Sequence, residues 1–342
     1  MKVSVIGSGA WGTAIALLMR GNGYDVTIWS KFEEEAESLR IKRENNLLRG
    51  VVIPEEIAIT SNIESAVSGA AAVMIAVPSF AVRETAEMLR ALQGILMDNC
   101  IAVCLSKGIE KDTSSLFTNI IGSILDKRTP VASVSGPTHA EEVARGIPSA
   151  CVAASEDISV AERVQSLLMN EFFRVYTSTD VIGVELGAAL KNVIALSAGI
   201  CEGLGFGDNT MAMLMTRGLA EIAELCVRMG GRKETLAGLT GLGDLIVTCI
   251  SQHSRNRRAG VLIGKGMSVQ DALREIGAIV EGYYAAKAAR ELSEAIGVDM
   301  PICCEAYRVL HEGKSPNEGM KDLMSRKRKS EHSTGEERWV IN

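Results

Sequence analysis

The sequence predicts an α/β fold in which an N-terminal parallel sheet is followed by an all-α C-terminal domain. Short β-branched runs alternate with stretches of helical spacing up to about residue 180, strand-like runs are missing after that point, and the first run leads into a glycine-rich turn. A chain of 342 residues exceeds the size at which one hydrophobic core stops growing. We therefore expect two domains, residues 1–180 and 181–342.

Short strand-like runs define the expected sheet. In chain order they include "KVSVI", "DVTIW", "AAVMIAV", "CIAVCLS", "PVASVSG" and "SACVAAS", and the strand signal ends after "FFRVYTSTD". Stretches with the three- and four-residue spacing of helices separate them. This alternation is typical of a parallel sheet that is covered by helices on both faces.

A glycine-rich turn follows the first strand and opens an amphipathic helix. Gly7, Gly9 and Gly12 have the G-x-G-x-x-G spacing. Such glycines permit a tight turn, a close approach of backbone to a pyrophosphate, and close packing of helix on strand. The helix N-terminus then offers free N–H groups to the phosphates. With a strand before and a helix after it, the motif indicates a Rossmann-type domain that binds NAD or NADP.

The end of the second strand bears on the choice of cofactor. An Asp or Glu there would bind the ribose 2′-hydroxyl of NAD, but the strand ends Trp29, Ser30, Lys31. Lys31 could instead contact the 2′-phosphate of NADP, so we expect NADPH to be accepted at least as well as NADH. The alternative is a solvent-exposed Lys31, with Glu33 or Glu34 of the following helix contacting the ribose.

One lysine interrupts the apolar helix that begins the second domain. Lys191 lies in "GVELGAALKNVIALSAGI", and its helical neighbours three and four residues away include no carboxylate. It could extend its ammonium to water along an apolar surface. If it is buried, its partner must come from another element, and loss of hydration would make it a candidate acid or base near neutral pH.

Further polar residues follow strands or glycine turns. Lys107 and Gly108 end a buried strand, Thr138 follows a Gly-Pro turn with Glu141 as a capping-box partner, and Asp244 follows a glycine loop. Taken singly, these residues are better explained as a surface lysine, an N-cap and a turn acid. In "SQHSRNRRAG", Ser254, Arg255 and Asn256 combine a hydroxyl, a guanidinium and an amide, which suits a phosphate group. Together the patterns favour hydride transfer between nicotinamide and a carbinol carbon.

Composition excludes several classes of function. A formal charge of −6 and a pI near 5.5 argue against nucleic acid or an anionic membrane as a partner. The N-terminus lacks the zones of a secretory signal, and no window of 18 residues is free of polar interruptions, so we expect a cytoplasmic protein without a membrane span. Eight irregularly spaced cysteines are expected to be reduced, and no metal site is predicted. The end of the chain, "SRKRKSEHSTGEERWVIN", reads as a polar tail.

Several long blocks closely resemble the bacterial NAD(P)-dependent glycerol-3-phosphate dehydrogenase family. They are "GSGAWGTA", "SKGIE", "SGPTHAEEVA", "LKNVIALSAGICEGLGFGDNT", "GLGDLIVTCISQHSRNRRAG" and "VEGYYAAK", and the resemblance extends to about residue 325. It implies a Rossmann domain for NAD(P)H and a helical domain for dihydroxyacetone phosphate. The implied product is sn-glycerol 3-phosphate for phospholipid synthesis in the cytoplasm.

The resemblance also implies site residues. Lys191 is similar to the family's proton donor and acceptor. The implied substrate contacts are Lys107, Gly136, Thr138, Lys191, Asp244, Ser254, Arg255 and Asn256. The implied cofactor contacts are Gly7, Ser8, Gly9, Ala10, Trp11, Gly12, Lys31, Lys107, Ala140, Arg255, Ile279 and Glu281. This turn departs from the family's pattern at two positions, because Thr138 replaces the commoner serine and His139 the usual phenylalanine.

Two other functions are compatible with the same organisation. A β-hydroxyacid or sugar-acid dehydrogenase shares a Rossmann unit, a helical partner domain and a lysine on the linking helix, but has no need of the phosphate-suited "SRNR". A nicotinamide-ratio sensor without catalysis would not need Lys107, Lys191 and Asp244 together. The apolar helical domain makes a homodimer possible but does not locate its interface.

Overall fold

An eight-stranded sheet occupies the N-terminal half of the protein. The structure is a computed structural model that describes residues 1–111, 113–328 and 331. The strands are β1 (Lys2–Ile6), β2 (Asp25–Trp29), β3 (Ala58–Thr60), β4 (Ala70–Ile75), β5 (Ile101–Cys104), β6 (Val131–Ser135), β7 (Ser149–Ala154) and β8 (Phe173–Ser178). Their order across the sheet is β3-β2-β1-β4-β5-β6-β7-β8. The order reverses between β1 and β4, where ligands of such sheets bind at the carboxyl ends of the strands.

The sheet is parallel except at one pair of strands. β6 pairs antiparallel with β7, with Ser135 opposite Val152, so the expectation of a wholly parallel sheet is wrong at this position. The connection between them contains only a one-turn helix, which cannot return the chain to the opposite edge as a crossover helix would. β7 therefore begins at the edge where β6 ends.

Helices cover both faces of the sheet and form the rest of the protein. Those that flank the sheet are α1 (Ala10–Gly21), α2 (Glu33–Lys42), α3 (Ile63–Val67), α4 (Val82–Ala91), α5 (Phe117–Ile124), α6 (Ala140–Val143) and α7 (Ile158–Leu168). The helices that follow are α8 (Val181–Gly203), α9 (Asp208–Arg228), α10 (Lys233–Leu236), α11 (Asp244–Ile250), α12 (Arg255–Gly264), α13 (Val269–Ile276), α14 (Glu281–Ile296), α15 (Pro301–His311) and α16 (Pro316–Met324). Separate apolar cores lie on the two faces of the sheet and within the helical part. The predicted class, a Rossmann-type sheet with an all-α C-terminal part, is confirmed.

The helical part is built around α8. α8 and α12 cross so closely that a Cβ on Gly199 would lie 2.0 Å from the carbonyl oxygen of Arg257, and one on Gly260 would lie 2.1 Å from that of Leu196. Glycine is required at both positions because any side chain would overlap backbone. The crossing fixes the start of α12 relative to the middle of α8, where Lys191 lies.

α8 is also the one helix of the described residues that is long and apolar enough to cross a membrane by itself. Its most apolar stretch contains at most two charged residues, and 83% of that stretch is buried inside the protein. The segments Lys233–Ile250 and Arg255–Gly264 are long and apolar enough only when taken together, and they are bent by 51°. Core helices of soluble proteins have the same length and composition. The predicted polar tail lies largely outside the described residues.

Candidate active site

The glycine turn between β1 and α1 has the shape that a dinucleotide requires. Gly7 has φ +117°, and a Cβ there would lie 2.4 Å from the carbonyl oxygen of Ala76. A Cβ on Gly12 would lie 2.0 Å from the carbonyl oxygen of Gly7, so α1 packs directly on the turn. Within the described residues, Gly9 faces open space, α1 has no side-chain cap, and the buried Nε1 of Trp11 has no hydrogen-bond partner. These unpaired donors fit the pyrophosphate of NAD or NADP.

At the end of β2, several polar groups are already paired. Lys31 Nζ lies 2.7 Å from Glu84 Oε1 in an ion pair that is about half exposed. Glu33 accepts hydrogen bonds from Ser61 and Arg40. A cofactor contact through Lys31 or Glu33 would therefore require an existing pair to open or be shared.

Lys191 is buried in a network that joins the two halves of the protein. Its Nζ donates to Asp244 Oδ1 at 2.6 Å and to Thr248 Oγ1 at 2.6 Å. The other carboxylate oxygen of Asp244 accepts from Lys107 Nζ at 2.8 Å, and Lys107 also donates to the carbonyl oxygen of Gly136 at 2.9 Å. Lys107 and Gly136 follow β5 and β6, whereas Lys191 and Asp244 belong to α8 and α11. Carbonyl, carboxylate and two ammonium groups thus meet where the sheet edge contacts the helical part.

Two glycine turns place the members of this network. Gly136 has φ +154°, and a Cβ there would lie 2.8 Å from Cα of Cys151, so β7 crosses directly behind the turn. A π-helical turn, Leu239–Gly243, leads into Asp244, and a Cβ on Gly241 would lie 2.0 Å from the carbonyl oxygen of Leu236. π-Helical turns occur often at functional sites.

Burial and the two lysines set the electrostatics. Burial lowers the pKa of Lys191 to about 8, because the opposing effect of Asp244 does not compensate for it and Lys107 lowers the pKa further. Burial alone would raise the pKa of Asp244, but Lys107 and Lys191 together lower it. Asp244 is therefore ionised near neutral pH, while Lys191 can release or regain a proton there.

The turn after β6 differs from its predicted form. Thr138 does not cap α6, because its hydroxyl lies 3.2 Å from the carbonyl oxygen of Gly136 and the N-cap residue is His139. The predicted capping box with Glu141 is thus wrong, since α6 begins one residue later than such a box requires. Nε2 of His139 is buried without a hydrogen-bond partner in the described part of the chain. Burial lowers the pKa of His139, as does Lys191, whereas Glu141 opposes the shift.

The predicted phosphate residues lie at the start of α12. Ser254 caps the helix by accepting from the backbone N–H of Arg257. Asn256 is buried, donates to Asn192 Oδ1 at 2.9 Å and accepts from the backbone N–H of Gly282 at 2.8 Å. Arg255 is exposed at the first helical position.

The remaining predicted cofactor residues lie on other elements. Ala140 begins α6, Glu281 begins α14, and Ile279 lies two residues before it in the preceding loop. Burial raises the pKa of Glu281, and hydrogen bonds from Ser79 and the charge of Arg255 oppose the rise. Glu281 therefore lies beside Ser79, which follows β4 at the position where the strand order reverses.

Sequence reasoning missed three residues of this region. Thr248 lies four residues after Asp244 on the same helix, a spacing that places it on the same face and could have revealed it. Asn192 follows Lys191 and was quoted with it, but its pairing with Asn256 joins distant segments. Nothing in the sequence marks Ser79. No cluster of three His, Cys, Asp or Glu side chains suited to a metal occurs among the described residues.

Comparison with known proteins identifies the family. The model for the N-terminus of NAD-dependent glycerol-3-phosphate dehydrogenase matches residues 2–161. The model for the C-terminus of the same enzyme matches residues 180–321. Together the two matches cover most of the chain.

Individual relatives have the same name and nearly the same length. The NAD(P)+-dependent glycerol-3-phosphate dehydrogenase of Fusobacterium nucleatum is 48% identical over 333 residues, which cover 97% of this chain and 98% of the relative. The enzyme of that name from Thermoanaerobacter is 50% identical over 331 residues, covering 97% and 99%. The crystal structure of glycerol-3-phosphate dehydrogenase from Coxiella burnetii matches with a TM-score of 0.90 and 34% identity, covering 95% of this chain and 99% of that one.

Proposed function

The chain belongs to the NAD-dependent glycerol-3-phosphate dehydrogenase family, and we propose that Lys191 is the proton donor of its reaction. The enzyme is an NAD(P)-dependent oxidoreductase that reduces dihydroxyacetone phosphate to sn-glycerol 3-phosphate. The observation that carries the proposal is the buried network in which Lys191 and Lys107 share the carboxylate of Asp244.

The carbonyl oxygen of the substrate gains negative charge during reduction and needs a proton. When bound, NAD(P)H supplies the hydride that adds to C2 of the substrate. The ammonium of Lys191 stabilises the developing alkoxide and donates the proton, since burial weakens its hold on that proton. Asp244 orients Lys191, and Lys107 adds positive potential from the sheet edge. Thr248 fixes the direction of the ammonium by accepting one of its N–H groups.

The start of α12 is the proposed phosphate site. Arg255 supplies a guanidinium, and the helix N-terminus favours negative charge. Asn256 and Ser254 contribute polar groups that are already held in place by Gly282 and Arg257. Gly136 and Thr138 are proposed to contact the substrate from the end of β6. An anchor of this kind fixes the triose without acting on C2.

The cofactor is proposed to lie along the carboxyl edge of the sheet. Its pyrophosphate would bind to the glycine turn. The residues proposed for this contact are Gly7, Ser8, Gly9, Ala10, Trp11 and Gly12. Lys31 would contact the adenosine end. Lys107, Ala140, Arg255, Ile279 and Glu281 are proposed for the nicotinamide half.

The cellular role follows from the product. We propose that sn-glycerol 3-phosphate supplies phospholipid synthesis and that the enzyme works in the cytoplasm, where reduced NAD(P)H is available. All eight cysteines are free thiols, which suits a reducing compartment. Two domains, residues 1–180 and 181–342, and a homodimer remain predictions.

One assay tests the function against its rivals. Oxidation of NADPH is followed at fixed enzyme concentration with dihydroxyacetone phosphate, and β-hydroxyacids and sugar acids are then tested in the reverse direction with NADP+. We expect turnover with the triose phosphate and none with the acids. Turnover of an acid alone would support the hydroxyacid dehydrogenase, and cofactor binding without any turnover would support the sensor.

A further inference from the structure

A second buried carboxylate on α8 connects the two halves of the protein. Glu185 lies six residues before Lys191 and is 4% exposed. It accepts from Thr118 Oγ1 at 2.8 Å and from the backbone N–H of Thr118 at 3.3 Å, and Ser133 is a further hydrogen-bond partner. We call β1–β8 with α1–α7 the sheet half, and α8–α16 the helical half. Thr118 belongs to α5 and Ser133 to β6, so every one of these partners lies in the sheet half.

The contact completes an element of the sheet half. The N-cap residue of α5 is Leu116, which has no side-chain oxygen and makes no cap. The backbone N–H of Thr118 is one of the donors that a helix N-terminus leaves unpaired. A carboxylate from the helical half therefore caps a helix of the sheet half, at a terminus that favours negative charge.

Two short backbone segments connect the Glu185 contact with Lys191 and Lys107. α8 continues for six residues from Glu185 to Lys191, a rise of about 9 Å without a break. β6 runs from Ser133 to its end at Ser135, and the next residue, Gly136, accepts a hydrogen bond from Lys107 through its carbonyl oxygen. A shift of α8 against α5 and β6 would therefore move Lys191 relative to Lys107 and to the cofactor edge.

We propose that Glu185 is a positioning residue for the reaction: its carboxylate fastens α8 to α5 and β6, and thereby fixes Lys191 against the cofactor. This inference rests on the proposed role of Lys191. Catalytic rates are sensitive to a displacement of a reacting group by about 1 Å. Loss of the contact between Glu185 and Thr118 should therefore lower kcat more than it weakens cofactor binding.

The protonation state of Glu185 is set by its burial. Burial raises the pKa of Glu185 to about 7, while hydrogen bonds from Thr118 and Ser133 oppose the rise. The titratable group that faces it from β5 is the thiol of Cys104, whose pKa burial raises well above its usual value, so that it stays neutral. The contact is therefore compared between variants at pH 8, where Glu185 is largely ionised and both of its oxygens are acceptors.

Glu221 offers a matched control. It is also buried, its pKa is likewise raised to about 7 by burial, and it accepts backbone N–H groups of Ile302 and Cys303 at the start of α15. The N-cap residue of α15, Met300, makes no side-chain cap either. Glu221 caps a helix within the helical half, whereas Glu185 caps one that belongs to the sheet half.

The test compares Glu185→Gln, Glu221→Gln and Thr118→Val with the wild type, using NADPH and dihydroxyacetone phosphate at pH 8. We expect Glu185→Gln to lower kcat on the order of 10-fold to 100-fold with little change in the Kd of NADPH. Thr118→Val, which alters the other side of the contact, should lower kcat in the same direction. Glu221→Gln should keep the wild-type kcat, and thermal unfolding should show all three variants folded.

A wild-type kcat in Glu185→Gln would overturn the inference, as would an equal loss in Glu221→Gln. Lys191→Met, measured in parallel, separates this failure from failure of the proposed mechanism. If Lys191→Met is inactive while Glu185→Gln behaves as wild type, only the positioning role is wrong.

Discussion

The behaviour of Lys191 follows from the competition between burial and charge pairing. Removing an ammonium from water disfavours its charged form, and the Asp244 carboxylate at 2.6 Å opposes that effect. The two effects leave a lysine whose pKa is about 8, against 10.5 for the free side chain. Such a group is protonated at neutral pH and yields its proton far more readily than an exposed lysine.

This pKa predicts opposite pH profiles for the two directions of the reaction. Reduction needs the protonated amine, so its kcat should fall as the pH rises through about 8. Oxidation needs the neutral amine, so its kcat should rise over the same range. Initial rates in both directions between pH 6.5 and 10 check the prediction. Parallel profiles in the two directions would contradict the assigned role.

The ion pair at the end of β2 leads to a prediction about cofactor choice. Lys31→Ala should raise the KM for NADPH by about tenfold, the value of one charge-assisted hydrogen bond, and leave the KM for NADH nearly unchanged. Glu84→Gln, which releases Lys31 from its ion pair, should lower the KM for NADPH. Steady-state rates with each cofactor measure both effects. Equal changes for the two cofactors would mean that Lys31 does not contact the 2′-phosphate.

At the level of single residues, the sequence could predict part of the network around Lys191, but not Thr248 or the detailed hydrogen bonds. The lack of a carboxylate near Lys191 on its own helix predicted a partner from another element, and Asp244 of α11 is that partner. The bond between Thr138 and Gly136 was not predictable, because it depends on where α6 begins, and helix ends are poorly determined by local sequence.

At the level of elements, the α8–α12 crossing holds the helical part together. Its glycines let the two backbones approach until no side chain fits between them. This approach places Asn256 within hydrogen-bond distance of Asn192, the residue after Lys191. The start of α12 is thus fixed relative to Lys191 by backbone contact.

Gly260→Ala should therefore destabilise the protein. The added Cβ would lie 2.1 Å from the Leu196 carbonyl oxygen and 2.8 Å from the Ile200 nitrogen, and overpacking of this kind costs about 1–3 kcal/mol or more. Gly21→Ala is the control, because Gly21 lies in α1 and no atom of the described residues is within 4 Å of its Cβ position. This substitution should stabilise the helix by about 0.5–1 kcal/mol. Urea midpoints of the two variants provide the comparison. A wild-type midpoint for Gly260→Ala would show that the crossing is loose.

Elements with a strong periodic signal were predictable, and weak ones were not. Strand β3 has only three residues, Ala58–Thr60, too few for a pattern to emerge. The antiparallel direction of β7 could not be read from its composition, because a buried strand has the same residues in either direction.

At the level of the whole molecule, the site exists only where the two halves meet. The sheet half supplies Lys107 and Gly136, and the helical half supplies Lys191, Asp244 and Thr248. The glycine turn between β1 and α1 belongs to the sheet half, and Lys191 belongs to α8 of the helical half. The proposed mechanism therefore needs both halves of the protein.

The most direct test of this account is the turnover of Lys191→Met with NADPH and dihydroxyacetone phosphate, with Kd for NADPH measured on the same sample. Methionine keeps an unbranched chain without the ammonium, and Lys265→Met, on an exposed lysine of the same half, is the control. We predict a kcat lowered on the order of 10² to 10⁴-fold, an unchanged Kd, and full activity in the control. A Lys191→Met enzyme that retains a kcat within about tenfold of the wild type would contradict the central claim.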